Sequence, residues 1–128
     1  MAVSGMNHFT ILTDDVPRTV EFYGRLLGLT DGPRPDLGFP GAWMYAGDSA
    51  ILHIVGGQRR ERLVSGVIDH MAFTASGLEA TLALLAARGI AHDCRRLPGF
   101  GTWQVFFNDP NGARVELDFA ADEAAALG

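Results

Sequence analysis

Ile68-Asp69-His70-Met71-Ala72-Phe73 and Asp109-Pro110-Asn111-Gly112-Ala113-Arg114-Val115-Glu116-Leu117 bound the stretch that decides the fold. The first segment reads as a strand opening on a histidine. The second is a tight turn, Asp109 to Gly112, feeding a strand with a glutamate near its middle. Side chains alternate along a strand, so Val115, Leu117 and Phe119 share one face. Glu116 then points the other way, beside Arg114 and Asp118. Between these ends, Leu78, Leu82 and Leu85 recur at helical spacing over 78–88, and Gly89 is placed to stop that helix. Strands are expected over 91–96 and 103–107, around a Gly- and Pro-containing loop at 97–101.

Working outward, the earlier half repeats this order. Over 7–13, His8, Thr10 and Leu12 alternate with Phe9 and Ile11 as a strand should. Asp14-Asp15-Val16-Pro17 supplies capping chemistry for a helix over 17–27, whose stripe is Val20, Tyr23, Leu26 and Leu27. Gly28 ends it. Residues 31–41 are Gly- and Pro-rich and read as a loop with room for a short extended piece. Strands over 42–46 and 50–55 turn at Gly47-Asp48.

His8 and His53 are 45 positions apart, and His70 and Glu116 are 46 apart. Gly28 matches Gly89 at an offset of 61, and Trp43 matches Trp103 at 60. Such drift is what loop insertions produce in a duplicated unit. The expected class is α+β: two modules, about 6–56 and 67–119, sharing one cupped, partly open eight-stranded sheet with helices outside. Residues 57–66 are polar and basic and read as the linker, and 120–128 as a tail. All 128 residues make one domain on this reading. His8, His53, His70 and Glu116 leave the apolar faces of their strands. Four such groups in one concavity are costly to desolvate unless something binds them.

Bulk properties narrow the function. With 128 residues and 48% of them hydrophobic, the chain has the material for a core, and disorder is not expected. A formal charge of −5 lacks the basic footprint of a nucleic-acid surface. No apolar run reaches membrane-span length, and Met1 to Met6 carry no secretory signal, so a cytoplasmic protein is expected. The single cysteine, Cys94, allows no internal disulfide and reads as a half-buried strand residue. His92 has no counterpart in the repeat and reads as a surface residue.

Asn7-His8-Phe9, Glu21-Phe22-Tyr23 with Leu27-Gly28-Leu29, Asp69-His70-Met71-Ala72-Phe73, and Asp109-Pro110-Asn111-Gly112 leading to Glu116 together resemble the vicinal oxygen chelate superfamily. That group comprises glyoxalase I, extradiol dioxygenases, fosfomycin-resistance enzymes and bleomycin-resistance proteins, and the likeness runs from Asn7 to Phe119. The resemblance implies paired βαβββ modules and a divalent ion, iron, manganese, nickel or zinc, on His8, His70 and Glu116. It also implies a small-molecule substrate bound through vicinal oxygens, and a homodimer. His53 stands where glyoxalase I has a metal-binding, proton-shuttling glutamate, which makes it either a fourth ligand or proton shuttle, or a hydrogen-bonded cleft histidine. No histidine occurs over 97–104, and Phe106 stands near the place of the dioxygenase tyrosine. Trp43, Tyr45, Gln104 and Arg34 are the candidate substrate contacts, Arg34 suiting a carboxylate or phosphate. Two functions of different class follow: a metal-dependent lyase, isomerase or oxygenase, or a non-catalytic protein sequestering a small ligand against Trp43, Tyr45, Trp103 and Phe106.

Overall fold

In a computed structural model, which describes residues 1–123, the chain forms two compact units, Met1–Val64 and Ser65–Gly128. Each unit is a βαβββ module. The first runs β1 (Phe9–Leu12), α1 (Val16–Leu27), β2 (Thr30–Gly32), β3 (Gly41–Ala46) and β4 (Ser49–Val55). The second runs β5 (Met71–Ala75), α2 (Leu78–Ala87), β6 (His92–Arg96), β7 (Trp103–Asn108) and β8 (Arg114–Phe119). The α+β class with paired modules is the observed one. Hydrogen bonding arranges the eight strands as two sheets of four, ordered β1-β4-β3-β2 and β5-β8-β7-β6. The boundary between the units falls within 57–66, where Arg60–Arg62 forms a single 3-10 turn.

Helix α1 begins where the local chemistry dictates. Asp15 is the N-cap, its carboxylate accepting from the Arg18 amide, and Pro17 sits in the first turn, where its missing N–H costs nothing. Thr13 and Thr19 hydroxyls hydrogen-bond at 2.9 Å beneath this cap. At the other end Gly28 adopts φ 69°, a left-handed conformation that a side chain disfavours. The helix buries Phe22, Tyr23 and Leu26, which with Ile11, Met44, Leu52 and Ile54 make the first core.

Helix α2 differs at its start. Its N-cap is Gly77, which has no side chain to offer. The carboxylate of Glu123 does the work instead, accepting from the Leu78 amide at 2.8 Å and the Gly77 amide at 3.0 Å. The expected tail therefore has a structural task at Glu123, and the remainder of it, 124–128, lies outside the described residues. Leu78, Leu82 and Leu85 are buried, as are Val105, Phe107, Val115, Leu117 and Phe119 on the β7 and β8 faces they share. β6 begins at His92, whose Nδ1 meets the Ile90 carbonyl oxygen at 2.8 Å.

Register corrects one detail of the repeat. Trp43 pairs with His53, whereas Trp103 pairs with Phe119. The residue opposite Glu116 is Phe106. Trp43 thus corresponds to Phe106, and His53 to Glu116, both at an offset of 63 rather than 60. Trp103 faces with Val105 and Phe107, and Arg96 stacks over its ring at 4.2 Å, so it leaves the set of aromatics beside Glu116. The two tryptophans look equivalent in sequence because each opens or nearly opens a strand. Only hydrogen-bond register reveals that they occupy opposite faces of their sheets.

Candidate metal-binding and substrate-binding faces

In the first unit, β3 and β4 alternate so that Met44, Leu52 and Ile54 enter the core, while Trp43, Tyr45 and His53 take the other face. His53 is sandwiched between two rings. The indole of Trp43 stacks on one side at 4.1 Å between centroids, and the His8 imidazole lies 3.7 Å away in a nearly parallel plane. Burial, then the neighbouring His8 and Arg34, lower the His53 pKa from 6.5, while a hydrogen bond with the Ala50 backbone opposes them. A neutral imidazole bonded to that carbonyl keeps its second ring nitrogen as an acceptor.

Two glycines make space on this face. A Cβ on Gly32 would stand 2.7 Å from the Tyr45 ring, which therefore lies over bare backbone and donates its hydroxyl to the Pro33 carbonyl at 2.6 Å. A Cβ on Gly41 would stand 2.9 Å from Nη2 of Arg34. That nitrogen donates to the Phe39 carbonyl, and the guanidinium rests over the Phe39 ring. Arg34 Nε is buried without a hydrogen-bond partner.

In the second unit, His70 immediately precedes β5 and Glu116 sits in β8, directly beside Ala72 in the parallel ladder. Nε2 of His70 is 3.0 Å from Oε1 of Glu116, and Glu116 is only 6% exposed. Gln104 donates to the other carboxylate oxygen at 3.2 Å. Asp69 meets Nδ1 of His70 at 2.7 Å, just as Asn7 Oδ1 meets Nδ1 of His8 at 2.7 Å. In both modules the residue before the histidine thereby engages Nδ1 and leaves Nε2 as the other ring nitrogen, which in His70 meets Glu116. The signal was present in Asn7-His8 and Asp69-His70, an acceptor side chain before each histidine, although spacing alone gives it no role.

Asp118 extends this cluster. Burial raises its pKa from 3.8 to about 6, assisted by its hydrogen bond with Glu116 and by that carboxylate's charge, against the opposing effect of His70. Its Oδ1 is buried without a partner.

The donor chemistry suits a divalent ion. Two ligands at about 2.1 Å from a metal and 90° apart have donor atoms about 3.0 Å from each other. The His70–Glu116 separation is of that size, and with Nδ1 occupied by Asp69 the remaining nitrogen is free to turn toward a cation. Among the described residues, no group of three or more His, Cys, Asp or Glu is gathered closely enough to form a complete site. The structure brings the expected residues together as two pairs: His8 with His53, and His70 with Glu116.

Comparison with known proteins agrees with this architecture. The sequence profile of the Glyoxalase/Bleomycin resistance protein/Dioxygenase superfamily matches residues 5–117. Glyoxylase I 4 of Arabidopsis thaliana is 27% identical over 124 residues, spanning 90% of this chain and 70% of that protein. A variant of the fosfomycin resistance protein FosX from Listeria monocytogenes, complexed with Mn(II) and 1S,2S-dihydroxypropylphosphonic acid, superposes with a TM-score of 0.75 at 16% identity, over 93% of this chain and 94% of that one. Lactoylglutathione lyase from Agrobacterium tumefaciens superposes with a TM-score of 0.67 at 19% identity, over 94% and 97% of the two chains. With its paired βαβββ modules and a profile match across nearly its full length, the chain belongs to the glyoxalase/bleomycin resistance protein/dioxygenase superfamily, the vicinal oxygen chelate proteins.

Proposed function

We propose that the chain is a divalent-metal-dependent enzyme of the glyoxalase/dioxygenase type, with His8, His70 and Glu116 as protein ligands. The observation that carries this reading is the His70–Glu116 pair at 3.0 Å, its histidine held from behind by Asp69. Two lone-pair donors face each other at that distance only with a cation, a proton or a metal ion, between them. A bound metal would supply Lewis acidity, polarising vicinal oxygens of a small substrate toward lyase, isomerase or oxygenase chemistry.

The chain's own groups have separate tasks in this scheme. Asp69 and Asn7 orient the two imidazoles. Gln104 holds the second oxygen of Glu116 and turns the carboxylate toward His70. His53, kept neutral by burial between two rings, accepts or returns a proton at the ring nitrogen not bonded to Ala50. Trp43, Tyr45 and Arg34 supply a flat wall and a cation for substrate on the open face of the first sheet. A cytoplasmic homodimer completes the reading, on the family resemblance.

Elemental analysis of protein purified without chelator tests it. The expected result is about one Fe, Mn, Ni or Zn per chain, lost in Glu116→Gln and His70→Gln. Metal content indifferent to both substitutions would overturn the assignment. The stacked rings of His8, His53 and Trp43 favour a second reading, a non-catalytic protein that sequesters a small planar ligand. Metal-free protein that binds aromatic ligands tightly and turns none over would establish that reading instead.

A further inference from the structure

We infer that Arg95 and Arg114 form a subsite for the oxyanion group of the substrate, so that the substrate is a small anion bearing a carboxylate- or phosphate-type group. This deepens the metal-enzyme reading above and rests on it for the statement that the bound molecule is a substrate.

The placement follows from register. β7 lies between β6 and β8, and Phe106 on β7 is paired with Glu116. Two positions before Phe106, Gln104 pairs with Arg95; two positions after it, Asn108 pairs with Arg114. The arginines therefore stand on the same face as Glu116, diagonal to Phe106 on the strands either side of it, within reach of its ring. They use that reach. The Arg95 guanidinium lies 4.4 Å from the Phe106 ring centroid and that of Arg114 lies 4.9 Å from it. His70 meets the same ring edge-on at 6.0 Å.

Two like charges thus converge on one ring beside the proposed metal ligands. Each gains from the negative face of the ring, but each also repels the other. Neither forms an ion pair with a carboxylate among the described residues, although Asp93 is paired directly opposite Phe106 and Glu116 and Asp118 share the face. Glu116 is instead engaged by His70 and Gln104. A guanidinium over an aromatic ring keeps its in-plane N–H donors at the rim, and those donors match a planar or tetrahedral oxyanion two at a time. An oxyanion at the rim of the Phe106 ring, taking N–H donors from both guanidinium groups, relieves their repulsion and holds the rest of the molecule beside the His70–Glu116 pair.

The test is a titration with sulfate and, separately, acetate, at constant ionic strength. It follows the Nε–Hε NMR signals of Arg95 and Arg114 in labelled wild-type protein and measures affinities by isothermal titration calorimetry in wild type and variants alike. Saturable shifts of both signals are expected in wild type. Arg95→Gln and Arg114→Gln should each weaken binding by about 3-fold or more, and the double variant by about 10-fold or more. A preference for sulfate identifies a phosphate-type group and a preference for acetate a carboxylate. Unsaturable shifts, or affinities unchanged in the double variant, overturn the subsite. Metal content read in parallel separates the two readings. A double variant that keeps its metal while losing sulfate supports the subsite, whereas sulfate binding in a protein that takes up no metal sinks only the enzyme.

Discussion

His53 and Glu116 occupy the same station in their two modules. His53 sits in the fourth strand opposite Trp43, and Glu116 sits in the eighth strand opposite Phe106. The first is a stacked, neutral-leaning imidazole, and the second is a buried carboxylate bridged to His70. One duplicated scaffold therefore presents an imidazole at one station and a carboxyl group at the other. Strand position is shared, while the side chain decides the chemistry.

The stacked pair offers its own reporter. In a Trp103→Phe background, Trp43 is the remaining tryptophan, and a protonated imidazole stacked on it quenches its fluorescence. Titrating that fluorescence should give a midpoint below 6.5, the direction imposed by burial with His8 and Arg34 nearby. His53→Ala should abolish the transition. A midpoint above 6.5 would contradict the described packing.

Asp69 is expected to matter through His70 alone. Asp69→Ala removes the acceptor at Nδ1, freeing the ring to rotate, and should weaken metal binding by about 10- to 100-fold without changing the stoichiometry at saturation. Competition against a chelator of known affinity measures this. Equal affinities for wild type and variant would deny Asp69 its orienting role.

Asp118 makes stability depend on pH in a definite direction. Its carboxyl titrates at 3.8 ordinarily and at about 6 in the fold, so the fold favours the protonated form. That contribution is whole below pH 3.8 and is lost as pH rises through about 6. Asp118→Asn cannot ionise, so in chelator-treated protein its stability relative to wild type should rise between pH 4 and 7. Urea denaturation at several pH values reads this difference, and a constant difference would refute the shift.

Glu123 should be worth more than its place near the chain end implies. Its carboxylate satisfies two amides at the start of α2 and lies at the positive end of the helix. Glu123→Ala should cost about 1 kcal/mol. Thermal unfolding would register this as a fall of roughly 3–6 °C, and an unchanged midpoint would mean solvent caps the helix equally well.

Much of this protein is settled by local chemistry. Asp15, Pro17 and Gly28 begin and end α1 through capping and left-handed backbone, interactions that span a few residues and can be read along the chain. The alternation of Val115, Glu116 and Leu117 likewise separates a core face from the opposite one, and the repeat sets His8 with His53 and His70 with Glu116 at matching separations. What a linear reading cannot supply is pairing between distant strands. The equivalence of Trp43 with Phe106, the departure of Trp103 to the opposite face, and the meeting of Arg95 with Arg114 over Phe106 all depend on hydrogen-bond register. The cap that Glu123 provides to Gly77 and Leu78 is of the same kind, a contact across 45 and 46 positions. Capping and alternation are properties of neighbours in sequence. Register is chosen by the burial of whole faces at once, and only the folded sheet decides it.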